Sequence, residues 1–201
     1  LERYNFKDFL SRFNNDVDEM EIFQVLKELP ELDKDKVWLA GGALRRTLIH
    51  DLLTSDFDFF FKNEVELKTF KIKLESKGVK KISETEHQET FEIKIKDKPR
   101  LIQLVKIGYY NTVEDLLDSF DFTITQFAYD GEDLICGKYS LWDVARKRLA
   151  LHKMTYGVAT MRRLIKYSNQ GFTACAGVMQ SILEAVIADP SVVNSDIQYI
   201  D

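Results

Sequence analysis

The sequence predicts an α+β fold: a mixed α/β head whose mixed sheet is flanked by helices, followed by a small helical segment. Three observations predict it. Strand-length apolar runs alternate with 3.6-residue helical patterns through the first two thirds of the chain, and from Tyr139 onward the pattern is mostly helical. A short buried run, Val37 to Ala40, leads straight into Gly41-Gly42 and a helix. From Asp56 to Lys62 acids and phenylalanines alternate with period two. At 201 residues, with 45% hydrophobic residues and 14 phenylalanines, the chain is large enough for a real core, and 3 prolines and 9 glycines argue against long disorder. The division expected is a head over 1–138 and a helical unit over 139–201.

The elements follow in order. Asn5 to Glu28 reads as one or two amphipathic helices, carried by Phe6, Phe9, Leu10 and Phe13 and then Met20, Phe23 and Leu26, and ended by Pro30. Ala43 to Leu53 has helical spacing, Asp56 to Lys62 is an aromatic-rich strand, and Glu64 to Lys77 is a helix stopped by Gly78. Strands are expected at Val79 to Ile82, Thr90 to Lys96 and Arg100 to Ile107, the last two joined by a turn at Asp97-Lys98-Pro99. Thr112 can cap a helix through Ser119, and Phe122 to Tyr129 alternates as a strand before a turn at Asp130-Gly131. An apolar helix is expected over Ala174 to Ala188.

Composition excludes several classes. Cys136 and Cys175 have no metal-ligand spacing and are too few for a disulfide framework, which points to a reduced, cytoplasmic setting. The sequence has no apolar run near eighteen residues and no signal or lipidation motif, so no membrane partner is expected. His50, His87 and His152 lack ligand spacing. The net charge of −5 hides a segregation: no Asp or Glu occurs between Val144 and Leu183, where Arg146, Lys147, Arg148, Lys153, Arg162, Arg163 and Lys166 give +7 and leave −12 for the remainder. Such a segment can hold a polyanion locally although the whole chain is acidic, and it can equally be a solvated helix face.

The residues that carry chemistry lie in two places. Side chains two apart on a strand share a face, so Asp56 and Asp58 point one way while Phe57, Phe59 and Phe61 point into the core. Adjacent carboxylates repel, and a divalent cation offsets that directly. Hard oxygen donors on a rigid strand suit Mg2+, which completes its shell with waters and substrate phosphates. Gly41 and Gly42, lacking Cβ atoms, let backbone approach a triphosphate, and Arg45 one helical turn later can reach the same phosphates. An isolated Asp-x-Asp is most often a solvated strand face and an isolated Gly-Gly a turn; the order strand, Gly-Gly, helix, aspartate strand is far more specific.

That order resembles the signature of the nucleotidyltransferase superfamily. Ser119-Phe120-Asp121-Phe122-Thr123-Ile124-Thr125-Gln126-Phe127-Ala128-Tyr129-Asp130 resembles the ribose-recognition motif of tRNA CCA-adding enzymes and bacterial poly(A) polymerases (class II). Leu141-Trp142-Asp143-Val144 through Leu149 resembles their head-to-neck joint, and Met161 to Tyr167, ending at Gly171-Phe172, their arginine-rich neck helix. The resemblance covers roughly 36 to 172. It implies a nucleotidyltransferase-fold catalytic head over 1–138 and a neck over 139–201. It implies Asp56 and Asp58 as catalytic metal ligands for two Mg2+ ions, with Mn2+ as an alternative. Gly41, Gly42, Arg45, Asp121, Thr123, Arg163 and Lys166 would bind the nucleotide, ATP or CTP, and Arg146, Lys147, Arg148, Lys153 and Arg162 would bind RNA, tRNA among the candidates.

The departures are as informative. Phe120 stands where the family has arginine, Thr125 where it has asparagine, and Arg46 where it has aspartate. Tyr156 and Gly157 replace the acidic pair of the neck helix and Thr160 an arginine that reads base edges. Gln103 or a neighbour occupies the strand position of a third carboxylate. With no counterpart of the family's body and tail domains in these residues, the expectation is untemplated addition of nucleotides to an RNA 3′-hydroxyl rather than full CCA synthesis. The alternatives are a degenerate NTP- or RNA-binding protein and a toxin-like enzyme that modifies tRNA or protein.

Overall fold

The computed structural model describes residues 1–154 and 156–193, so the final residues of the segment expected over 139–201 lie outside the described residues. Ten strands and eight α-helices are described. They are β1 (Glu2–Asn5), α1 (Phe6–Ser11), α2 (Glu21–Glu28), β2 (Val37–Ala40), α3 (Gly42–Leu48), β3 (Phe57–Phe61), α4 (Glu64–Glu75), β4 (Lys80–Glu84), β5 (Gln88–Ile95) and β6 (Lys98–Val105). Then come α5 (Val113–Asp118), β7 (Phe127–Tyr129), β8 (Asp133–Cys136), α6 (Ser140–Ala145), β9 (Arg148–Leu149), α7 (Gly157–Asn169), β10 (Thr173–Ala174) and α8 (Ala176–Ala188). The α+β expectation holds: one eight-stranded mixed sheet runs β1-β8-β7-β2-β3-β6-β5-β4, with β3 and β6 parallel and every other pair antiparallel.

The period-two pattern of β3 places it at the centre of this sheet. Phe57, Phe59 and Phe61 are completely buried in the main core, with Leu39, Phe91, Ile102 and Leu104 from neighbouring strands and Leu10, Phe23, Leu44 and Phe70 from α1 to α4. The opposite face holds a smaller cluster in which Trp38, Ala40, Phe60 and Ala128 pack under Val113, Leu116 and Leu117 of α5. Asp58 sits between Phe57 and Phe59 on that second face, in register with Ala40 of β2 and Gln103 of β6. Two local signals act as expected: Gly78 terminates α4 at φ 76°, and Thr112 caps α5, where Asp115 completes a capping box; Asn63 also caps α4 by accepting from the Glu66 amide.

Four local expectations are corrected. The chain begins as an edge strand, because Glu2 to Asn5 pairs with β8, and Asn5 is the cap of α1 rather than part of it. The β5–β6 turn starts one residue earlier than expected and is shorter: Lys96 and Asp97 both take positive φ (49° and 64°), as a two-residue turn of this hand requires, and Pro99 lies inside β6. Phe122 to Tyr129 is only partly strand, since Thr123–Thr125 forms a 3-10 turn whose Thr125 hydroxyl donates to the Phe122 carbonyl at 2.7 Å. The region after Tyr139 is mostly helical but also contains the short parallel pair β9 and β10. Among the described residues no helix is long and apolar enough to cross a membrane.

Candidate functional site

A cavity of about 460 Å3 opens between the second face of the sheet and the helix α7. Three segments make its head side: the Gly41-Gly42 turn after β2, the Asp56 and Asp58 end of β3, and Gln103 of β6. Phe60, Tyr110 and Phe120 add an aromatic wall, and Tyr156, Arg163, Lys166 and Gln170 close the cavity from the other side. The glycine pair and the two acids, fifteen residues apart in sequence, therefore face one space, as their spacing led us to expect.

The glycines are there for two different reasons. Gly41 has φ 86° and ψ −130°, a conformation open to glycine and costly for any residue with a Cβ. Gly42 is ordinary in φ, but a Cβ on it would stand 2.8 Å from the Ser55 hydroxyl. That hydroxyl is held by Arg46, whose Nε donates to it at 2.8 Å while Nη1 donates to Asp51 at 2.6 Å. Arg46 thus clips the loop leading into β3. Gly41→Ala is expected to cost about 1–3 kcal/mol through backbone strain, and Gly42→Ala a comparable amount through the crowded Ser55. In thermal melts Ser55→Gly should restore most of the loss of Gly42→Ala and none of the loss of Gly41→Ala. Equal rescue of both would remove this distinction.

The two acids are partly exposed to the cavity. Burial raises the pKa of Asp58 to about 7, the neighbouring Asp56 charge pushes it the same way, and the Lys166 ammonium opposes both. Asp56 is also raised, chiefly by burial, with Lys166 and a hydrogen bond from Gln103 working against the rise. Gln103 Nε2 donates to Asp56 Oδ2 at 2.5 Å. The amide of Gln103 therefore pins one carboxylate oxygen of Asp56, a residue that lines the cavity. Among the described residues no group of three or more His, Cys, Asp and Glu could hold a metal by itself. Two hard carboxylates fit Mg2+ only if phosphate and water complete the shell, which is the usual habit of that ion.

The nucleotide-binding candidates divide. Arg45 lines the cavity, but its guanidinium is 2% exposed and lies 4.7 Å from the Tyr167 ring and 5.2 Å from that of Phe172. Its Nη2 donates to Gln170 at 2.8 Å, while Nε and Nη1 have no hydrogen-bond partner among the described residues. Burial lowers its pKa. Asp121 also lines the cavity, where its Oδ2 accepts from Arg163 Nη1 at 2.8 Å and from the Thr160 hydroxyl at 3.2 Å. Thr123 is not on the cavity wall: it is buried and donates to Asp143 at 2.7 Å, a structural bond beneath the site. The contact of Arg45 with Tyr167 and Phe172 was not legible in the sequence, since it joins segments 122 and 127 residues apart, and the Ser55 bridge, only nine residues long, has no periodic or capping signal to mark it.

The RNA-binding candidates lie outside the cavity. Arg146 stacks over Trp142 at 3.9 Å, Arg148 approaches Asp143 at 3.8 Å, and Lys153 pairs with Asp118 at 3.2 Å beside His152. Lys147 (φ 50°) forms the turn after α6, and Arg162 is on the exposed side of α7.

The family model described as Gad2, Gabija anti-defense 2 family protein, matches residues 1–147. None of the curated proteins matches the sequence. Solved structures share the fold. A CCA-adding enzyme in complex with ATP is 15% identical with a TM-score of 0.66, covering 97% of this chain and 48% of that one. The Thermotoga maritima CCA-adding enzyme complexed with tRNA is 16% identical with a TM-score of 0.64, covering 94% and 46%. A tRNA nucleotidyltransferase complexed with a primer tRNA and an ATP analogue is 18% identical with a TM-score of 0.56, covering 76% and 47%. This chain thus spans under half the length of those enzymes, and it is similar to their head and neck.

Proposed function

We propose that this chain, which belongs to the Gabija anti-defense 2 family, is a Mg2+-dependent nucleotidyltransferase that moves a nucleotide from an NTP to an RNA 3′-hydroxyl in countering the defence for which the family is named. The observation that carries it is the joint placement of Asp56, Asp58 and the glycine turn on one cavity large enough for a nucleotide. The fold is typical of Mg2+-dependent enzymes, and the solved relatives bind ATP, CTP or tRNA.

In this reading Asp56 and Asp58 hold the cation. Bound Mg2+ neutralises phosphate charge and lowers the pKa of the attacking hydroxyl. The bare backbone at Gly41 and Gly42 admits the triphosphate, and Lys166 supplies a positive charge near the acids. Arg45 lines the cavity, and its buried Nε and Nη1, without partners among the described residues, would become phosphate donors once the guanidinium turned toward the substrate. The O3′–Pα bond forms as the bond from Pα to the leaving pyrophosphate breaks, with the hydroxyl proton passing to solvent or to the substrate. Asp121 and Arg163 position the neck helix against the head, and the ring of Phe120 offers a face for a base. The proposed head comprises 1–138 and the neck-like unit 139–201.

One observation favours a second reading. Neck positions that read the base in CCA-adding enzymes are here Tyr156, Gly157 and Thr160, and Thr160 is spent on Asp121. A protein that binds NTP without turnover fits those changes. Incubation with each of the four NTPs, Mg2+ and total RNA decides between them. The transferase reading expects label in RNA and released pyrophosphate; a thermal shift with Mg-ATP but no pyrophosphate on any RNA favours the binding protein and sinks transfer.

A further inference from the structure

We propose that α6 carries a stacking surface for single-stranded nucleic acid, separate from the cavity and built from Lys138, Tyr139, Trp142 and Arg146. It deepens the reading of RNA as acceptor, because it names a place that would hold the strand away from its reacting end; it does not depend on transfer taking place. Tyr139 is the N-cap of α6 and Arg146 its C-cap, so Tyr139, Trp142 and Arg146 follow the 3, 4 spacing that puts residues on one helix face. Both rings are far from buried, at 56% exposed each, although indole and phenol rings of a folded head are normally drawn inward. Each ring is paired with a cation: the Arg146 guanidinium lies 3.9 Å from the Trp142 ring centre and the Lys138 ammonium 5.2 Å from that of Tyr139. None of the four lines the cavity.

The charge around them selects an anion. From Lys138 to Lys153 there are five basic residues and one acid, Asp143. Asp143 is 3% exposed and bonded to Thr123 and Arg148, and Lys153 is paired with Asp118, so the charges that stand beside the two exposed rings are the cations Lys138 and Arg146. Exposed aromatic rings alternating with cations accept bases and phosphates together, which an unpaired strand offers and a duplex, with its bases stacked inside, does not. An acidic peptide would satisfy the cations but leave the rings without flat partners.

Intrinsic fluorescence reads this surface directly. Of the two tryptophans Trp38 is completely buried, so quenching by a stacked base reports Trp142. The full chain in EDTA, without nucleotide, is titrated with a 12-nucleotide oligo(A) RNA, an RNA duplex of the same length and poly-glutamate. The expected result is saturable quenching by the single strand alone, weakening about twentyfold from 50 to 200 mM salt if three phosphates are neutralised. In polarisation with labelled RNA, Trp142→Ala should weaken binding about tenfold, and Arg146→Ala should lower the salt slope. Equal quenching by the duplex or by poly-glutamate, no quenching at all, or unchanged binding by a folded Trp142→Ala protein would each overturn the proposal. Because the assay holds neither metal nor NTP, a failed transfer reaction leaves this result standing, and failure here leaves the cavity's chemistry untouched.

Discussion

Asp58→Asn is expected to make the protein more stable in chelator at pH 8 and at the same time to abolish nucleotide transfer. The stability gain follows from the charge that the folded chain forces into a poor environment. Asp58 titrates near pH 7 when folded, against 3.8 for a free carboxyl, because burial and the Asp56 charge both oppose ionisation. The folded state therefore keeps a proton that the unfolded chain has lost between about pH 4 and 7. Stability falls as pH rises through that window and levels off above it. Three pKa units set a ceiling of about 4 kcal/mol; partial exposure to the cavity reduces the expected gain on removing the charge to about 1–2 kcal/mol, or about 2–8 °C in Tm. At pH 4, where both proteins are neutral at this position, the difference should vanish. Adding Mg2+ at pH 8 should raise the Tm of the original chain and leave the variant nearly unmoved. Transfer, if it draws on a metal held by this acid, should fall at least about a thousandfold, which corresponds to about 4 kcal/mol of transition-state stabilisation. A variant that melts lower than the parent at pH 8 in chelator would contradict the strained carboxylate. One that still transfers would remove Asp58 from the reaction.

Removing Arg163 should destabilise the protein more than neutralising its partner does. Asp121 is 5% exposed and Arg163 24% by side chain, so the two ends of their 2.8 Å ion pair differ in what they can do when left alone. After Asp121→Asn the guanidinium can turn toward solvent, and the Thr160 hydroxyl keeps a neutral acceptor; a cost of about 1 kcal/mol is expected. After Arg163→Met the carboxylate remains enclosed with a hydroxyl for company, and a cost of about 3 kcal/mol follows from an uncompensated buried charge. The double variant should recover part of the loss of Arg163→Met, because the stranded charge is then gone as well. Urea unfolding of the three variants measures this directly. Equal costs for the two single changes would show that Asp121 finds water when its partner is removed. Because Asp121 precedes the 3-10 turn, Arg163 sits on α7 and both line the cavity, the same pair bridges its two sides. The Michaelis constant for NTP should therefore rise in Arg163→Met beyond what the loss of folded protein explains.

Legibility differed by the range of the contact. The acids and phenylalanines of β3 could be placed on opposite faces from alternation alone, because a strand's side-chain period is a local property of the backbone. The glycine turn, the stop at Gly78 and the cap at Thr112 were local in the same sense. Errors collected where four or fewer residues form a strand only because a partner lies beside them. Neither β1 nor β8 has a pattern long enough to declare itself, and each completes the other's hydrogen bonds at the sheet edge. Thr123 looked like a sugar ligand from its motif, yet the 3-10 turn rotates it under the site toward Asp143.

By itself, then, the order of residues determined which side chains share a strand face, the stop of α4 at Gly78 and the start of α5 at Thr112, and that a Gly-Gly turn precedes an acidic strand. Only tertiary structure decided the order of the eight strands, the pinning of Asp56 by Gln103 and the clamping of Arg45 between Tyr167 and Phe172. The physical reason is that periodicity and capping act over a few residues, whereas these pairings join positions 47, 122 and 127 residues apart and exist only once the sheet and α7 have packed.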